Sequence, residues 1–277
     1  MTNPNEIIPG VIFYSYNSTS RKEKVGFLSH HTLVLMVSGR FTLETSAQKV
    51  TLNKGEMLLI GKNQLGQITK SPEPDDHYET IVISLQEELL RKIALEEQRE
   101  AKRKYIGSRN IVIPDNDYLK GFFQSIVPYV RSTETTLTDE LGILKVKEAV
   151  TLLLHIMPQL NDFLFDFSEA HKVDLEKFML RHFHYNIPIV EFAELTGRSL
   201  AGFKRDFQKM FGMAPRQWLQ EKRLVEARNL IENQNKKPSA IYLDLGFESL
   251  SHFSSSFKKR FGRAPSEWPL VGNRGEG

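Results

Sequence analysis

The chain has 277 residues, 40% of them hydrophobic and 26% charged, and it has no cysteine. That length suits two domains of ordinary size, and the composition excludes disulfides, thiol nucleophiles and cysteine-ligated zinc. The formal charge of +3 is unevenly spread: residues 1–171 hold 19 Lys and Arg against 22 Asp and Glu, whereas residues 172–277 hold 18 against 12. A basic tail suits a polyanionic partner, although a solvated surface has the same composition. The opening MTNPNEIIPG has no basic segment followed by an apolar core and does not read as a signal peptide. Apolar runs such as Val150 to Leu154 are too short to span a bilayer, so no membrane partner is expected, and a reducing cytoplasm is.

Residues 11–85 read as short strands and turns. Val11 to Tyr14, Thr32 to Val37, Arg40 to Thr45, Lys49 to Leu52, Met57 to Ile60 and Thr80 to Ile83 are rich in β-branched residues. Turn signals lie between them at Ser38-Gly39, Asn53 to Gly55 and Gly61 to Asn63. Regular short strands predict a small β-barrel of cupin or jelly-roll type. His30 and His31 are the one histidine pair in this half, and His77 is distant. Adjacent strand residues face opposite ways, so both cannot enter one barrel, and the set of inward histidines that a barrel metal needs is missing. No metal, cofactor or catalytic residue is therefore expected. An inward histidine either lines an effector pocket or is simply half-buried. No Gly-rich phosphate loop or Ser/His/Asp order stands out.

Glu87 to Lys104 is charged and predicted helical; Lys102, Arg103 and Lys104 read as a DNA patch or as a solvated helix end. Residues 117–160 are predicted helical. Val146, Ala149, Val150, Leu153, Ile156 and Met157 form a stripe at helical spacing. The stripe has two readings: a homodimer seam carried by Val146, Val150, Leu153 and Met157, or a helix docked on its own barrel. Asn161 to His171 resembles a linker, yet Phe163, Phe165 and Phe167 need burial. The expected organisation is α+β in two domains: a regulatory domain over 1–165, a linker over 166–172, and an all-α domain over 173–277.

The last hundred residues contain a repeat. Ser199, Leu200, Phe203, Phe207, Phe211, Gly212, Ala214, Pro215 and Trp218 recur at an offset of 50 as Ser249, Leu250, Phe253, Phe257, Phe261, Gly262, Ala264, Pro265 and Trp268. Two copies of one supersecondary unit follow. In each, a short helix (Glu191 to Thr196, then Ile241 to Leu245) ends at a glycine, Gly197 or Gly246. A serine, Ser199 or Ser249, then caps a second helix, which Gly212 or Gly262 ends with a proline three residues on. These are helix-turn-helix units over about 189–211 and 238–261. Pro215 to Asn233 reads as the connecting helix, about 28 Å long at ~1.5 Å per residue, close to the ~34 Å between major-groove faces one turn apart.

On a helical wheel Leu200, Phe203, Phe207, Met210 and Phe211 share a core face, as do Leu250, Phe253, Phe257 and Phe261. The opposite faces hold Ala201, Lys204, Arg205 and Gln208, and Ser251, Ser254, Ser255 and Lys258, with Lys209, Lys259 and His252 flanking. Neither strip has an acidic residue at its centre; Asp206 lies between faces. Such strips suit a major groove, where Arg or Lys pairs with guanine and hydroxyls meet phosphates. Base reading is assigned to Ala201, Lys204, Arg205, Gln208, Ser251, His252 and Ser255. Backbone contact is assigned to Ser199, Lys209, Ser249, Ser254, Lys258 and Lys259.

With these motifs, residues 173–269 resemble the AraC/XylS family of bacterial regulators. The stretch from Gly246 to Gly262 with Ala264-Pro265 is similar to the family's second-unit signature, and Phe203 to Phe207 resembles one of its recognition helices. The resemblance implies a domain of seven helices, sequence-specific binding to double-stranded DNA, and usually activation through RNA polymerase. It also implies contact positions at Ala201, Lys204, Arg205, Ser251, His252 and Ser255. Tyr242 stands where the family usually has alanine, which points to the first unit for most base reading and to the second for backbone. Leu52 to Ile60 resembles the glycine turn and strand of the cupin-like domains often fused to this unit, which implies a small-molecule or protein effector and dimerisation. The alternatives are a cupin-type metal enzyme with a helical appendage and a helical scaffold for protein partners.

Overall fold

The computed structural model describes residues 5–23, 25–74, 76–131, 138–168 and 172–268. The chain forms two compact units, residues 1–168 and residues 169–277. Residues 169–171 of the expected linker and 132–137 of the expected helical segment lie outside the described residues, as does Pro269.

Among the described residues the first unit has β1 (Asn5–Ile8), β2 (Ile12–Asn17), β3 (Arg21–Lys22), β4 (Gly26–Leu28), β5 (His31–Ser38), β6 (Arg40–Thr45), β7 (Lys49–Leu52), β8 (Met57–Ile60), β9 (Gln64–Ser71) and β10 (Tyr78–Leu85). Helix α1 (Glu87–Glu96) follows, then β11 (Asn110–Ile113), α2 (Asp117–Gln124), α3 (Val127–Arg131), α4 (Asp139–Ile156), a 3-10 turn (Pro158–Leu160) and α5 (Asn161–Leu164). The strands pair as two sheets, β1-β2-β10-β5-β8-β11 and β3-β9-β6-β7, with β4 also on β9. The predicted barrel is thus an open pair of sheets and not a closed cylinder: no ladder joins one sheet to the other among the described residues.

Side-chain alternation divides the first sheet's two faces. Val34, Met36, Leu58 and Ile60 point to the second sheet and meet Phe41, Leu43, Val50 and Leu52. Leu33, Leu59, Ile81 and Ile83 point the other way and meet the helices. Strand β8 is buried on both faces, which is why its sequence is an unbroken apolar run.

The stripe on α4 is spent inside this layer. Val146, Ala149, Val150 and Leu153 are fully buried in their own unit's core, and Met157 packs against it. Of the two readings of the stripe, this burial favours the docked helix: Val146, Val150 and Leu153 are used within their own unit, and of the residues assigned to a homodimer seam Met157 alone stays half-exposed. Pro158 lacks the N–H that would continue α4, so that helix stops at Ile156. The helix expected from Glu87 to Lys104 ends at Glu96, and Gln98 turns the chain with φ 52°. Phe163 and Phe165 are buried core residues, and Phe167 lies beneath the Arg91 guanidinium at 4.4 Å. The stretch from 161 to 165 is consequently part of the first unit's core.

Among the described residues the second unit has α6 (Leu175–His182), α7 (Ile189–Leu195), α8 (Leu200–Phe211), α9 (Pro215–Gln234), α10 (Pro238–Ile241), α11 (Leu250–Phe261) and a closing 3-10 turn (Pro265–Glu267). No described helix is long and apolar enough to cross a membrane. The repeat persists in the packing. Trp218 lies 5.6 Å from Phe207 and 4.7 Å from Phe211, and Trp268 lies 5.5 Å from both Phe257 and Phe261.

Candidate nucleic-acid interface

Both candidate reading helices are built the same way. The Ser199 hydroxyl accepts from Gly202 N–H at 3.2 Å, and the Ser249 hydroxyl accepts from His252 N–H at 3.2 Å. Each satisfies one of the orphan donors of a helix start. Gly212 and Gly262 close α8 and α11 with φ of 69° and 82°, a region costly for any side chain. Phe203, Phe207, Phe253 and Phe257 are fully buried and hold the backs of the helices to their unit.

The outward strips are exposed. Ala201, Lys204, Arg205, Gln208 and Lys209 face solvent on α8; Ser251, His252, Ser255, Lys258 and Lys259 do so on α11, with Ser254 half-buried. Ser199 and Ser249 are exposed at the helix starts. Among the described residues Lys204, Arg205, Lys209, Lys258 and Lys259 make no ion pair, so their charge is free for an anionic partner. The Ser255 hydroxyl donates to His252 C=O at 3.1 Å, which turns its proton back along the helix. The core faces are narrower than the wheel predicts: Leu200, Leu250 and Met210 are 38%, 40% and 48% exposed. These positions lie at the ends of the helices, beyond the reach of the packing phenylalanines.

Several basic residues that swell the tail's charge are already committed to partners within the fold. Arg198 donates to the carbonyls of Thr196 (2.7 Å) and Val173 (3.1 Å) and to Asp206 at 3.1 Å. Arg260 grips Glu221 through Nε at 2.7 and 2.8 Å, tying α11 to α9. Arg223, on α9, donates to Phe183 C=O (2.7 Å), Tyr185 C=O (2.8 Å) and Gly246 C=O (3.2 Å). Burial lowers the Arg223 pKa to about 10. Sequence reasoning missed all three because charge counting does not reveal which arginines find internal acceptors. Tyr242 directly follows α10 and packs half-buried against the Leu224 and Phe257 cluster. The first helix of the second helix-turn-helix is Pro238–Ile241, earlier than the Ile241 to Leu245 predicted. From Ile241 the chain runs on as turns, with Leu245 N–H bonded to Ile241 C=O at 3.0 Å, until Gly246 reverses it at φ 80°.

In the first unit His30 is exposed and His31 is buried, as alternation requires. The His31 Nδ1 accepts from Lys62 N–H at 3.4 Å, its ring lies 4.6 Å from Phe163, and Nε2 has no partner. Burial pushes its pKa down to about 3. His31 pairs with Leu85 at one end of β10, and His77 precedes the other end, so the two do not converge.

Two families match the chain. One is described as an ExsA N-terminal regulatory domain and matches residues 31–167; the other is described as a helix-turn-helix domain and matches residues 192–269. The chain is 33% identical to the transcriptional regulator ExsA of Pseudomonas aeruginosa over 110 residues, which is 39% of this chain and 39% of that one. It is 34% identical over 73 residues to the virulence regulon transcriptional activator VirF of Yersinia enterocolitica, 26% of this chain and 27% of that one. The match thus spans about two fifths or less of the length of these relatives. Among solved structures, ToxT from Vibrio cholerae aligns over 94% of this chain and 97% of its own, with a TM-score of 0.47 and 13% identity. The helix-turn-helix match takes in both capped helices and both tryptophans, and the regulatory match takes in most of the paired sheets. The chain thus pairs an ExsA-type regulatory domain over residues 31–167 with an AraC-type helix-turn-helix domain over residues 192–269.

Proposed function

We propose that the chain is a sequence-specific DNA-binding transcription regulator, an activator, that reads two adjacent major-groove segments of one duplex. The observation that carries this reading is the pair of identically capped helices whose outward strips hold unpaired cations and small polar groups. A groove admits one such helix, and Lys204 and Arg205 offer the donors that guanine accepts. Ala201, Gln208, Ser251, His252 and Ser255 complete the base-reading set. Ser199, Lys209, Ser249, Ser254, Lys258 and Lys259 meet phosphates. The first helix-turn-helix, with the two long cations, supplies most of the base discrimination.

Helix α9, at 20 residues, is about 30 Å long, which suits readers placed one helical turn apart. One chain therefore supplies both readers. The first unit receives the controlling signal, a small effector or a protein, and the bound chain engages RNA polymerase in the bacterial cytoplasm. The similarity to a transcriptional regulator and to a transcriptional activator supports this assignment.

Selection of duplexes by the full-length chain tests it. An enriched motif is expected, with affinity falling steeply as salt rises. Arg205→Ala should cost about 1–3 kcal/mol and relax one base position. An unchanged preferred sequence with a loss well under ~1 kcal/mol would remove Arg205 from the reading set.

A further inference from the structure

We propose that Arg223 is a positioning residue that sets the separation at which the two reading helices meet DNA, and hence the spacing between the two segments the protein accepts. The inference rests on the DNA-reading function proposed above and deepens it. Arg223 sits half-buried on the helix that joins the two helix-turn-helices, yet its guanidinium pairs with no acid among the described residues. Nε and Nη2 donate to the carbonyls of Phe183 and Tyr185, in the loop that leads into α7 and the first helix-turn-helix. Nη1 donates to the carbonyl of Gly246, the residue that turns the chain into α11. One side chain thus holds the approach to the first reader and the entry to the second.

The contact is tight as well as hydrogen-bonded. A Cβ on Gly246 would stand 2.5 Å from His184 C=O and 3.0 Å from the Arg223 guanidinium carbon. The turn of the second helix-turn-helix therefore rests on the backbone of residues 183–185. Asn186 adds a bond to Glu248 at 3.2 Å across the same seam. A guanidinium presents five donors in a fixed planar fork, so it can serve three carbonyls at once, whereas a lysine ammonium is a point charge on a flexible stem. A residue that fixes an angle needs directional bonds to both sides.

The test uses the full-length chain and duplexes from its own selection, with the two segments at native spacing or separated by one or two added base pairs. Each added pair turns the second segment by roughly a tenth of a helical turn and moves it about 3.4 Å. Wild type is expected to lose about tenfold or more per added pair, the loss of one good contact. Arg223→Met is expected to bind the native spacing about tenfold more weakly and to distinguish spacings by less than about threefold. It should hold a duplex carrying the first segment alone within about twofold of wild type. Arg223→Lys keeps the charge and loses the fork, so it should regain affinity without regaining spacing discrimination. Should the methionine variant fail to fold in a thermal melt, the lysine variant carries the comparison. A folded Arg223 variant with wild-type spacing discrimination overturns the proposal, as does a wild type that selects a motif but ignores spacing. A wild type that selects no motif overturns the regulator reading itself.

Discussion

His31 shows how one residue carries more than its pattern reveals. Its inward direction follows from strand alternation, but the cost of its place does not. Its folded pKa of about 3 lies below the ordinary 6.5, so between those values the unfolded chain binds a proton that the folded chain refuses. Stability is then complete above about pH 6.5 and declines as pH falls toward 3, by up to ~1.4 kcal/mol per pH unit. His31→Asn keeps an acceptor for Lys62 N–H and removes the titration. Chemical denaturation between pH 7 and 4 should show a shallower decline for the variant, and parallel curves would contradict the burial. The arginines teach the complementary lesson. Arg205 and Arg223 are the same letter in a basic tail, and only the carbonyls around Arg223 separate the engaged guanidinium from the exposed one.

At the scale of elements, the helices of the second unit were legible because caps, glycine stops and phenylalanine spacing all agree. Ser199, Gly212 and their counterparts fall where the sequence puts them. The same capping chemistry gives a matched test. Ser199→Ala and Ser249→Ala should each cost about 1 kcal/mol of stability, with little change in which bases are preferred. A shift in the selected motif would show that the hydroxyls read DNA beyond capping the helix. The strands were less legible. β9 runs Gln64–Ser71 with a polar, weakly alternating sequence and owes its existence to β6 on one side and to β3 and β4 on the other. β11 is four residues long and is fixed by its partner β8. Such strands are made by their neighbours, which a single sequence does not display. The α4 stripe was read correctly as apolar and helical, but periodicity cannot say whether the covering surface belongs to the same chain.

At the scale of the molecule, the chain divides into residues 1–168 and 169–277. The sheet topology was not legible. Two open sheets and a closed barrel draw on the same short strands, and only the ladders decide between them. The candidate interface was legible as two strips of residues, whereas the seam that orients the strips was not, since it is built from carbonyls.

The 20-residue α9 has one more consequence. Because it physically tethers both readers, engagement of the second groove segment is intramolecular once the first is bound. Promoter occupancy should then rise with protein concentration along a simple hyperbola, with a Hill coefficient of about one, and still exceed what either reader achieves alone through high effective concentration. A titration steeper than that would mean that chains recruit each other on the duplex. A simple hyperbola would leave the first unit free to tune how much active protein is present rather than how sharply the gene responds.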